Sequence, residues 1–151
     1  MSQNVNKVRI NRYYERLLYH LRAFNRYIEK EDIIQAAEKT WGAISAFVNI
    51  YSLIYYNKEV KKDINKIKML TEFIELVLRH DPEVKKIIND FSRGHVKTFT
   101  KSLSNLHSFF YGGSAISIDD VKRYLNAAKI FLPIIEEYVK AIHNYVEAEH
   151  S

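Results

Sequence analysis

The sequence contains no cysteine, only two prolines and four glycines, and no long apolar run. Without cysteine, disulfides are excluded, as are zinc sites built on thiolates. With so few turn formers in 151 residues, a few long elements, hence helices, are expected. No stretch approaches the ~20 apolar residues that span a bilayer, and the polar start MSQNVNK does not read as a signal peptide. These absences imply a cytoplasmic protein with no membrane association. Catalytic signatures are missing too. There is no HExxH, no Gly-rich phosphate loop with its Lys and Ser/Thr, and no Ser-centred elbow. His143 and Glu147 could share a ligand but make a poor pair for a metal, so no metal and no cofactor is expected.

What is present is apolar periodicity. Hydrophobic residues make up 47% and charged residues 27%, as in a globular chain. The length suits a single domain, 1–151. In Asp32–Tyr56, Ile34, Ala37, Trp41, Ile44, Val48, Tyr51 and Tyr55 recur at alternating steps of three and four, which marks one helix face. Ile33, Phe47 and Ile54 widen that face, so this helix should be surrounded on several sides. Asp32 followed by Gln35 forms a capping box at its start. A preceding helix from about Lys7 to Tyr27 carries Ile10, Tyr14, Leu17, Leu21, Phe24 and Ile28 inward. The short link Glu29-Lys30-Glu31 predicts an antiparallel hairpin.

Asn57 is expected to cap a third helix, with Val60, Ile64, Ile67, Leu70, Ile74 and Val77 inward, ending near His80. Asp81-Pro82-Glu83 is a helix start, with a capping acid and proline in the first turn. That short helix buries Val84, Ile87, Ile88 and Phe91, and Gly94 closes it. Val96, Phe99, Leu103, Leu106 and Phe110 mark another, up to about Tyr111. After Gly112-Gly113-Ser114, Ser117 caps a final helix, with Ile116 able to staple onto Val121. Its face holds Val121, Leu125, Ala128, Phe131, Ile135, Tyr138, Ile142 and Tyr145, and Pro133 should kink it. The fold class is therefore all-α: an up-and-down bundle of five to six helices with a long kinked C-terminal helix.

The net charge of +5 is unevenly placed. Lys7, Arg9, Arg12, Arg16, Arg22, Arg26 and Lys30 face only Glu15 and Glu29 in residues 1–30, whereas acids and bases balance in the remainder. Arg9, Arg12, Arg16 and His20 fall on one stripe beside the buried face. Such a stripe can attract nucleic acid or an acidic partner; the plain alternative is a solvated helix face. Tyr13, Tyr14 and Tyr19 interleave with these arginines, as in surfaces that stack single-stranded bases, although such tyrosines also serve at core edges. Tyr51, Tyr55, Tyr56 and Tyr111 suggest a dimer seam or an interhelical pocket.

Two strings carry a family resemblance: Glu38-Lys39-Thr40-Trp41-Gly42-Ala43, and Leu106-His107-Ser108-Phe109-Phe110-Tyr111 ahead of the Ser117-capped helix. Their order and spacing resemble the HEPN superfamily, in particular its small archaeal PaREP-type members of unknown function. The resemblance implies a HEPN-like bundle that dimerises. It also implies partners of a toxin–antitoxin-like kind: RNA, a nucleotide, or a protein such as a nucleotidyltransferase antitoxin. Active HEPN ribonucleases carry an Arg, four to six residues, then a His. His107 matches the His, but Thr100, Lys101 and Ser102 occupy the Arg positions. Lys101 keeps the charge and lacks the bidentate fork. The expectation is a non-catalytic binding protein. The alternatives are a purely structural assembly and a metal-independent ribonuclease using Lys101 and His107. His107 would otherwise be a boundary residue hydrogen-bonded between helices.

Overall fold

A computed structural model describes the backbone of residues 2–110 and 117–149 and the side chains of residues 6–107 and 117–144. The described residues form helices only: α1 (Ser2–Glu29), α2 (Ile33–Tyr56), α3 (Asp63–Leu76), α4 (Pro82–Ser92), α5 (Val96–Phe110) and α6 (Ile118–Glu149). The chain is an all-α helical bundle with α2 at its centre. α1, α3, α5 and α6 all pack against α2, while α4 closes onto α5 and α6.

The helix starts follow local chemistry. The Asp32 carboxylate accepts the Gln35 N–H at 3.2 Å. Asp81 accepts from the N–H groups of Glu83 (2.9 Å) and Val84 (3.1 Å), with Pro82 in the first turn. The Ser117 hydroxyl accepts the Asp120 N–H at 3.1 Å. Each satisfies donors that the first helical turn leaves orphaned. Between α1 and α2, Glu31 takes a positive φ of 57° and the Asp32 N–H reaches back to the Tyr27 carbonyl at 2.9 Å. The hairpin is antiparallel: Asn6 meets Asn57 and Tyr13 meets Glu59, while His20 meets Gly42.

Trp41 is 3% exposed, and its indole N–H donates to Asp63 at the start of α3, 3.3 Å away. Phe47, Phe73, Phe99 and Phe131 are fully buried. Each such ring contributes about 1.5–3 kcal/mol by leaving water. Phe47 and Phe73 meet edge-to-face at 4.6 Å, and Phe73 meets Tyr138 at 4.8 Å, joining α2, α3 and α6. α6 also returns to α1, where His143 stacks on Tyr14 at 4.2 Å and its Nε2 lies 3.1 Å from Asn11 Oδ1. α6 continues through Pro133, whose ring faces solvent.

Four expected core residues stand outside instead: Ile34 (49% exposed), Tyr55 (56%), Ile64 (62%) and Val77 (41%). Ile34 and Tyr55 lie in the end turns of α2. Asn57 does not start α3; it ends α2 in the left-handed region (φ 58°). α3 therefore begins later, at Asp63, leaving Ile64 in its first turn and Val77 at its C-cap. Leu70, Phe73 and Ile74 form the α3 core in their place. The side chains of Phe110 and Tyr145, and residues Tyr111 and Ile116, lie outside the described residues.

Candidate functional site

The basic stripe on α1 divides into two parts. Arg9, Arg12 and Arg16 are exposed, and no carboxylate pairs with them among the described residues. The Arg16 guanidinium lies over the Tyr13 ring, 4.9 Å from its centroid. The Tyr13 hydroxyl donates to Glu59 at 3.0 Å, just beyond α2. Partial burial first, then this carboxylate, push the Tyr13 phenol above its ordinary value.

His20 does not join the solvated row. Its ring is half-buried against α2 where Gly42 leaves no side chain: a Cβ there would lie 2.7 Å from both His20 Cε1 and Nδ1. Nδ1 is sealed in and has no hydrogen-bond partner. Burial lowers the His20 pKa, and the neighbouring Lys39 and Arg16 charges lower it further. The charged imidazolium is thus disfavoured for two separate physical reasons. Lys39 is also drawn over the face of Tyr19, 5.3 Å from its centroid.

Beside His20 a cleft of about 320 Å³ opens between α1, α2, the segment after α2 and α3. Arg16, His20, Gly42, Ser45, Lys61 and Lys66 line it. Its far wall is set by Asn49, which is buried in the apolar run of α2. Asn49 Nδ2 donates to the Val60 carbonyl at 3.0 Å, and its Oδ1 accepts the Val60 N–H at 2.7 Å. This paired clamp fixes the residue next to Lys61. On the α3 side, Lys66 lies 3.8 Å from Asp63, the acid that also receives the Trp41 N–H.

The tyrosine group gathers around Glu72 and Tyr138. Glu72 on α3 accepts from Tyr51 at 2.9 Å and from Tyr56 at 2.6 and 2.7 Å. The hydroxyls of Tyr55 and Tyr138 lie 3.2 Å apart. Tyr51 is buried, whereas Tyr55 and Tyr56 are exposed. Burial and the Glu72 carboxylate hold the Tyr51 phenol far above its ordinary value, and burial with the Tyr55 hydroxyl does the same to Tyr138. For Tyr56 the bond to Glu72 is the leading cause of an upward shift. Tyr111 falls outside the described residues.

His107 is partly buried on α5. Thr100 is fully buried, its hydroxyl 2.7 Å from that of Thr71, and Ser102 bonds the Thr98 carbonyl at 2.9 Å. Lys101 is exposed. His107 lies six positions further along the helix, so the two are about 120° apart around α5 and ~9 Å apart along it. They do not share a face. Among the described residues no three His, Cys, Asp or Glu side chains are grouped to hold a metal, and no helix is long and apolar enough to cross a membrane.

Sequence reading missed Asn49, Lys61, Lys66, Glu72 and Tyr138 as partners in these groups. Asn49 did carry a signal, as a lone amide within an otherwise apolar string, AFVNIY.

No curated protein and no solved structure matches the chain. The sequence model of the Archaeal PaREP1/PaREP8 family matches residues 12–132, which include α1 from Arg12, all of α2 to α5 and the first half of α6. With that match over most of its length, the chain belongs to the Archaeal PaREP1/PaREP8 family.

Proposed function

We propose that this chain is a non-catalytic, HEPN-like bundle that binds RNA through the exposed face of α1 and works as a homodimer. The carrying observation is the row Arg9, Arg12 and Arg16, exposed and paired to no carboxylate among the described residues, with Tyr13 beneath Arg16. Guanidinium groups grip phosphate through paired N–H donors, and an adjacent ring offers a stacking surface. The non-catalytic reading is supported by the missing Arg on α5. Thr100 is turned into the core, Ser102 is tied to its own helix, and Lys101 keeps the charge but lacks the bidentate fork of an Arg. The dimer contact is assigned to the exposed rings of Tyr55 and Tyr56.

Fluorescence anisotropy with a short single-stranded RNA tests the reading. With three phosphate contacts to a single strand, raising salt from about 50 to about 200 mM lowers affinity roughly 20-fold. Changing Arg9 and Arg12 together to Ala weakens binding and flattens that slope. Absence of binding at low salt, or binding indifferent to salt, refutes it. RNA cleavage that disappears in His107→Ala would restore the ribonuclease alternative. A monomer at every concentration in sedimentation would remove the dimer.

A further inference from the structure

We infer that the cleft between α1, α2 and α3 is a binding site for a phosphomonoester group. The inference deepens the reading of α1 as an anion-binding face. Three cationic side chains from three separate parts of the chain converge there: Arg16 from α1, Lys61 from the clamped segment after α2, and Lys66 from α3. Ser45 adds a hydroxyl, and Gly42 opens the wall. Cations lining one cleft repel one another, and an entering anion relieves that repulsion. Glu59 bonds Tyr13, and Asp63 bonds Trp41 and pairs with Lys66, so Arg16 and Lys61 carry the cleft's unpaired positive charge among the described residues. The remaining charge facing His20 is Lys39, another cation.

His20 suits the same ligand. Its Nδ1 is buried with no hydrogen-bond partner among the described residues, so Nε2 is the nitrogen left to bear the proton. A neutral imidazole in that form donates one hydrogen bond to a phosphate oxygen. An arriving dianion also offsets the repulsion from Arg16 and Lys39 and allows the ring to take a second proton. A phosphomonoester carries about −1.5 to −2 at neutral pH, against the single charge of a carboxylate or an RNA diester. It therefore matches a cleft with two unpaired cations, Arg16 and Lys61, better than either. The cavity of about 320 Å³ lies at the small end of ligand sites, suited to a mononucleotide or to one terminal nucleotide. Both sources present the same group: a free nucleotide, or the 5′-phosphate end of an RNA.

Calorimetric titration of the full chain with inorganic phosphate, AMP and adenosine is the primary test. Phosphate and AMP bind, and adenosine does not. Lys61→Ala and Lys66→Ala each weaken AMP by roughly tenfold, the usual loss of a charged hydrogen bond, while Arg22→Ala on the opposite side of α1 leaves it unchanged. Circular dichroism melts confirm that each variant folds. In the proton NMR spectrum, the ring signal lost in His20→Gln is the one that moves when AMP is added. RNA with a 5′-phosphate outcompeting its 5′-hydroxyl form identifies the chain-end source; AMP binding with no such preference identifies the free nucleotide. AMP and adenosine binding alike, neither binding, or AMP binding unaffected by both lysine changes overturns the inference. RNA binding without any response to phosphate or AMP would sink the cleft and leave the α1 reading intact. AMP binding without RNA binding would do the reverse.

Discussion

Replacing Asn49 with Ala removes the side chain that holds the segment between α2 and α3. Two bonds to the Val60 backbone are lost, 2.7 Å to its N–H and 3.0 Å to its carbonyl, with a further 3.0 Å bond to the Ser45 carbonyl. Val60 is 6% exposed, so water does not easily replace them. A normal hydrogen bond contributes about 1 kcal/mol, but a buried group left without its partner costs about 1–3 kcal/mol. The Ser45 carbonyl keeps its helical role and adds little. With two orphaned groups and some relaxation, the loss should be about 3 kcal/mol. For a chain of this length that lowers the melting temperature by roughly 6–12 °C. Asn49→Asp is the instructive companion. Its carboxylate can still accept from the Val60 N–H but must face the Val60 carbonyl, so it gains nothing over Ala at neutral pH. Thermal unfolding followed by circular dichroism measures both. The same variants should weaken AMP, because Lys61 is adjacent to the released residue. A melting temperature for Asn49→Ala within about 2 °C of the wild type would refute the clamp.

Three further outcomes are expected. Gly42→Ala drives a methyl to 2.7 Å from the His20 ring, so it should destabilise the wild type, yet in a His20→Ala background it should stabilise by about 1 kcal/mol through helix propensity. A double-mutant cycle by urea unfolding measures this, and a stabilising effect in both backgrounds would exclude the contact. The folded-state His20 pKa lies below 6.5, so the unfolded chain takes up the proton first on acidification. Stability contributed by the neutral ring is present above about pH 6.5 and is lost as the pH falls toward the folded value; His20→Gln should flatten the fall in urea midpoint between about pH 7.5 and about 5.5. Tyr51 and Tyr138 have folded pKa values raised above 10.0, so their stabilising effect is present below about pH 10 and is lost as the pH climbs past it. In a phenolate absorbance titration, Glu72→Gln should release Tyr56 toward ordinary behaviour while Tyr51, held mainly by burial, still ionises late.

Much of the fold is local chemistry, and so it could be read along the chain. Asp32, Asp81 and Ser117 begin helices because their side chains bond backbone donors only two or three residues away. Apolar spacing placed Trp41, Leu70, Leu103 and Phe131 inside, since a helix turns by a constant angle. Spacing fixes direction around an axis and not the reach of the neighbouring helix, which is why Ile34, Tyr55, Ile64 and Val77 matched the pattern and still stand in water. His20 shows the same limit at the candidate site. Its stripe with Arg9, Arg12 and Arg16 was visible in the spacing, but its withdrawal from solvent depends on a notch that Gly42 makes in another helix.

The sequence by itself determined five to six amphipathic rods, a lopsided positive charge and kinship with an archaeal family. Only the tertiary structure decided which charges meet. Arg16, Lys61 and Lys66 belong to different parts of the chain and come together because Asn49 ties one of those parts down. Helix formation is settled by groups a turn apart, whereas a cleft depends on the packing distance and offset of several helices at once, and no single stretch of residues encodes that.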